Sequence, residues 1–84
     1  MHAMSLQKTL PYNDVNVLLA CDAKRRSFVA IGSGENVEGK FVFIEIDRVT
    51  ELELERGTVD LYTVMTDRCA GMVFHSTLAA MTAT

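Results

Sequence analysis

Apolar positions run longest from Lys40 to Val49, in Lys40-Phe41-Val42-Phe43-Ile44-Glu45-Ile46-Asp47-Arg48-Val49. Successive side chains of a strand point to opposite faces, so Val42, Ile44 and Ile46 share one face while Phe41 and Phe43, then Glu45 and Asp47, share the other. One face is dry throughout and the second is dry at one end only. That pattern predicts a central strand whose second face is half covered by a helix or another chain.

Two more strands precede it. Between Val15 and Cys21 the odd positions Val15, Val17, Leu19 and Cys21 interleave with Asn16, Leu18 and Ala20, so both faces are mostly apolar. Asp22-Ala23-Lys24-Arg25-Arg26 interrupts the run with turn-forming and charged residues and predicts a hairpin tip. Ser27 to Ile31 is the return strand, and Gly32 to Gly39 a flexible loop. Three strands in this order make an antiparallel meander.

Thr50 to Arg56 alternates like a strand, yet Asp47 suits an N-cap, and Val49, Leu52 and Arg56 share one helical side. Gly57 fits the position after a helix C-terminus, and Thr58 could cap a second helix in which Leu61, Val64 and Met65 repeat at helical spacing. Two short consecutive helices are therefore expected. Asp67 to Gly71 reads as a turn. Met72 to Leu78 reads as a last strand, with Met72, Phe74, Ser76 and Leu78 opposite Val73, His75 and Thr77. Residues 1–10 read as a tail or frayed helical turn ended by Pro11, with a turn at Tyr12-Asn13-Asp14, and 79–84 as a flexible end. The predicted architecture is one α+β domain over 1–84: an antiparallel sheet of about four strands, a meander plus a C-terminal strand, with one or two short helices. An all-β small barrel is the alternative.

The layout resembles small uncharacterised bacterial domains in which a three-stranded meander precedes a leucine, a spacer, a glycine and a capped leucine-bearing turn. The residues that carry the likeness are Leu18 to Asp22, Phe28 to Ile31, Phe41 to Ile46, Leu54 to Leu61 and Ala70 to Phe74. The resemblance implies helices over 48–66 and brings no catalytic residue, cofactor or activity with it.

Composition adds a partner. Apolar types make up 49% of the 84 residues, and the five glycines bring the fraction to about 55%, above the roughly 45–50% usual for soluble domains. A chain this short buries only about two thirds of its unfolded surface. The excess is expected to form an exposed patch and hence a homo-oligomer, a dimer first, through Phe41, Phe43, Phe28, Met72 and Phe74. Another protein partner would fit the same patch.

Charge and motifs mostly exclude. A net charge of −3 opposes a protein whose main task is to hold nucleic acid, leaving Lys24, Arg25 and Arg26 as the sole basic cluster for a nucleic-acid-associated role. Met1 to Val15 lacks the apolar core of a secretory signal, and no run approaches the roughly 18–20 apolar residues of a membrane span, so a cytoplasmic protein without membrane contact is expected. Cys21 and Cys69 read as reduced thiols.

Cys69, His75 and Asp67 are the nearest approach to a nucleophile, base and orienting acid. On an extended segment, however, Cys69 and His75 stand roughly 20 Å apart. Cys21, Cys69, His75 and His2 show no paired metal-ligand spacing, so no metal and no cofactor is expected. Gly32-Ser33-Gly34 lacks the helix a phosphate loop needs behind it. Glu51, Glu53 and Glu55 would share a face only on a strand. The function expected is a non-catalytic interaction or regulatory module, of the size of an accessory protein from a bacterial or mobile-element operon. The rival readings are a small enzyme or ligand-binding domain with its site at a subunit interface, and a nucleic-acid-associated protein using the basic tip.

Overall fold

The computed structural model describes residues 4–10, 12, 15–32 and 39–82. Five strands, β1 (Met4–Leu10), β2 (Asn16–Asp22), β3 (Ser27–Gly32), β4 (Lys40–Ile46) and β5 (Val73–Thr77), form one antiparallel sheet in the order β1-β2-β3-β4-β5. Helices α1 (Arg48–Arg56) and α2 (Leu61–Asp67) lie between β4 and β5, and α3 (Leu78–Thr82) follows β5 directly. The domain is α+β as expected, and the described residues hold five strands rather than about four and three helices rather than one or two. The sheet is open and not a barrel, because β1 and β5 are its two edges.

The alternation along β4 works as predicted. Ile44 and Ile46 join Val17, Leu19, Val29 and Ile31 in one core, closed by Leu54 of α1 and Val64 of α2. Phe41 and Phe43 join Phe28, Ala30 and Ala20 in a second core on the other face, closed by Leu78 and Met81 of α3. The middle of the sheet is β3, however, whose Phe28 and Ala30 serve the aromatic face while Val29 and Ile31 serve the helix-pair face.

Residues 4–10 are a correction: where a tail or helical turn was expected, β1 pairs with β2 from Met4↔Asp22 to Leu10↔Val17. The register slips between Leu6 and Lys8, so Gln7 is an extra residue. Such a bulge re-aims the strand. It sends Met4 into the aromatic core and Leu10 into the helix-pair core, although both sit at even positions. Residues 79–82 are likewise helical rather than part of a flexible end, and Leu78, expected at the end of the last strand, opens α3 instead. Thr77 Oγ1 accepts the Ala80 N–H at 3.1 Å, and Leu78 and Met81, one turn apart, become the lid of the aromatic face.

Capping fixes the helix pair. Asp47 Oδ1 accepts the Thr50 N–H at 2.8 Å, as the sequence indicates. At the other end Gly57 has φ 71°, its N–H reaches Leu54 O and the Thr58 N–H reaches Glu53 O, the paired closure that a left-handed residue permits. The cap of α2 is Asp60, whose Oδ1 accepts the Thr63 N–H at 2.7 Å. Thr58 is not that cap, because its amide and hydroxyl both turn back to Glu53 O. The buried side of α1 carries Thr50 and Leu54, not Val49, which is 61% exposed. The side chain of Glu51 accounts for this rotation, since it accepts the Ser27 hydroxyl at 2.8 Å and tethers the helix to β3. The hydroxyl of Tyr12 donates to Val59 O at 2.9 Å and ties the connection between the helices to the sheet. Pro11, Asn13, Asp14 and residues 33–38 lie outside the described residues, and with them most of the expected first turn and of the Gly32–Gly39 loop.

Candidate functional site

At the β2–β3 tip, Asp22 is buried and its carboxylate accepts three hydrogen bonds, with the Arg26 Nη2 nitrogen beside it as an ion-pair contact. The N–H groups of Lys24 and Arg26 meet its Oδ1 at 3.1 and 2.9 Å, while Arg26 Nε and Nη2 meet its Oδ2, each at 2.8 Å. Burial on its own would raise the Asp22 pKa. The backbone and side-chain hydrogen bonds from Arg26, its charge and the Lys24 amide outweigh that and hold the carboxyl below its ordinary value. Arg26 is thereby neutralised, and its guanidinium lies 5.9 Å from the Phe28 ring centroid. Of the basic cluster, only Lys24 and Arg25 project into solvent.

Below the tip lies an open cleft of about 340 Å³ between β1, the β2–β3 hairpin and the start of α1, lined by Gln7, Cys21, Arg25, Ser27, Arg48 and Glu51. Gln7 Nε2 donates to Cys21 Sγ at 3.2 Å, and Glu51 receives Arg48 Nη1 at 2.7 Å as well as the Ser27 hydroxyl. These polar groups satisfy one another. Among the described residues no base is hydrogen-bonded to the Cys21 thiol, so these residues assemble no nucleophile–base pair in the cleft. The sequence does not reveal this cleft, because it depends on the β1 bulge that brings Gln7 over β2.

The other candidate chemistry disperses. Cys69 is exposed ahead of β5, where its thiol donates to Gly71 O at 3.3 Å, and no hydrogen bond joins it to His75 on β5. Among the described residues no group of three or more His, Cys, Asp or Glu converges. His2 and the Ser33-Gly34 part of the glycine-rich loop lie outside those residues. On the helix, Glu51, Glu53 and Glu55 turn to three different partners: Arg48, Arg68 at 2.8 Å and Lys8 at 3.8 Å.

The expected interface residues separate into two groups. Phe28, Phe41 and Phe43 are interior, at 0–2% exposure, beneath α3 and its neighbours. Phe74 and Met72 are only half buried and sit at the β5 edge of that core. On the opposite face of the same strand, Val73 is 51% exposed and His75 is exposed. Both faces of one edge strand thus present apolar or uncharged side chains.

The two edges differ. Along β1, the Gln7 bulge breaks the register and Lys8 adds charge, two devices that discourage a further strand from pairing. The strand Val73-Phe74-His75-Ser76-Thr77 has neither, and pairs with β4 in unbroken register from Ile44↔Val73 to Lys40↔Thr77. No helix among the described residues is long and apolar enough to cross a membrane. Comparisons with protein-family models, curated proteins and solved structures found no match.

Proposed function

We propose that the protein is a non-catalytic interaction or regulatory module that works by self-association, as a homodimer. The observation that supports this reading is the character of β5, an edge strand without charge, proline or bulge, flanked by half-buried Phe74 and Met72 on one face and exposed Val73 on the other. An edge of this kind is a template for another strand, and unprotected edges are rare in chains that stay alone. The cleft at Cys21 supports an enzymatic reading less well, since its carboxylate and amide are already bonded to neighbouring side chains. Sedimentation velocity over a concentration series tests the proposal. The unmodified chain sediments as a dimer, and Val73→Lys, which places a charge on an already exposed position, shifts it to monomer. An unmodified chain that sediments as monomer throughout overturns it.

A further inference from the structure

We propose that a second copy of this chain adds its β5 antiparallel to this β5, about a twofold axis through His75, joining two five-stranded sheets into one continuous sheet. This rests on the self-association reading and specifies its geometry. The Glu45 N–H donates to Met72 O at 2.8 Å, so the Met72 carbonyl faces β4. Backbone groups of an edge strand alternate in direction, which turns Phe74 and Ser76 toward β4 and the N–H and C=O of Val73 and His75 outward, with the N–H of Thr77, whose C=O instead opens α3 and accepts the Ser76 hydroxyl. Those three residues are spaced symmetrically about His75. A twofold axis there sets Val73 against the partner's Thr77 and His75 against the partner's His75, so the two His75 residues exchange N–H···O=C bonds and each Thr77 N–H meets the partner's Val73 C=O. The side chains agree with that register, because it places Phe74 opposite the partner's Ser76, a large ring beside a small residue, twice by symmetry. Pairing through β1 would have to absorb the Gln7 bulge and bring Lys8 to the seam.

Cysteine cross-linking tests the register. In a chain carrying Cys21→Ser and Cys69→Ser, His75→Cys puts two thiols on the axis, where facing Cα atoms of a hydrogen-bonded pair stand about 5.5 Å apart, within disulfide reach. Thr77→Cys puts its two thiols four positions apart along the seam, roughly 13 Å. The expected result is that His75→Cys forms covalent dimer at least tenfold faster than Thr77→Cys. Amide exchange of the unmodified chain supplies a reading that no substitution can spoil. Protection at His75 and Thr77 rises with protein concentration, while Phe74 and Ser76 are protected at every concentration. A dimeric chain showing neither the cross-linking preference nor that concentration dependence overturns this geometry and leaves self-association standing. A chain that is monomeric at the highest concentration overturns both.

Discussion

Phe43 and Phe74 stack with ring planes within 4° and centroids 5.2 Å apart, yet only Phe43 is enclosed. Phe28 meets Phe74 edge-on at 6.0 Å, so Phe74 joins the interior rings to the edge of the sheet. Removing its ring takes away contacts with both. Phe74→Ala is expected to lower stability by about 2–3 kcal/mol, below the usual cost for a fully buried ring, as read from the urea midpoint at constant slope. A loss under about 0.5 kcal/mol would show that β5 is held by its backbone bonds alone.

Gly32 gives a second measurement on the same core. A Cβ built there would stand 2.7 Å from the Phe41 ring and 2.9 Å from the Lys40 carbonyl oxygen. Since Phe41 is 2% exposed, the ring has little space into which to retreat. Gly32→Ala is expected to cost about 1–3 kcal/mol by overpacking. Thermal unfolding of the two chains decides it, and an unchanged midpoint would mean that β3 and β4 separate freely at this end.

Three aspartates set the response to acid. Asp47 and Asp60 are held below the usual carboxylate range first by the backbone amides of Thr50 and Thr63, and Asp22 by the Arg26 bonds that overcome its burial. A lowered folded pKa means that the unfolded chain binds more protons. The stabilisation is therefore complete above the ordinary aspartate value of about 3.9 and is lost as pH falls through the folded values. Stability measured by denaturant titration is expected to be flat above about pH 5 and to fall below pH 4. Asp22→Asn should be less stable than the parent near neutrality and show a shallower decline in acid. An equally steep decline would assign the acid response to other groups.

The hairpin tip bears on the nucleic-acid reading. With Arg26 neutralised by Asp22, Lys24 and Arg25 are the cations left at the tip of a chain with net charge −3. Two phosphate contacts give weak, salt-sensitive binding at most. Labelled DNA and RNA are expected to keep their mobility at low salt when the protein is added. A shift that disappears in a Lys24→Glu, Arg25→Glu chain would restore that reading.

The parts of the fold legible in the sequence are those where local rules and tertiary packing agree. Alternation along β2, β3 and β4 named the strands and sorted their faces, and Asp47 and Gly57 marked the ends of α1. β1 was illegible because its bulge switches faces midway. Met4 and Leu10 serve opposite cores from positions of the same parity, so no period of two survives. α3 was illegible because five residues carry only Leu78 and Met81 as a helical pair. Without that lid the sequence cannot tell which phenylalanines remain near the surface, and so it grouped interior Phe28, Phe41 and Phe43 with half-buried Phe74. The basic tip was visible, but not its neutralisation. The signal for that was present in Asp22 and Arg26, which flank the same short turn and meet across it.

Light scattering on the unmodified chain, as mass against concentration, bears most directly on the proposal that β5 joins two copies. The expected mass is twice 9.3 kDa, falling toward that value on dilution. A mass of 9.3 kDa at every concentration up to the millimolar range would contradict it.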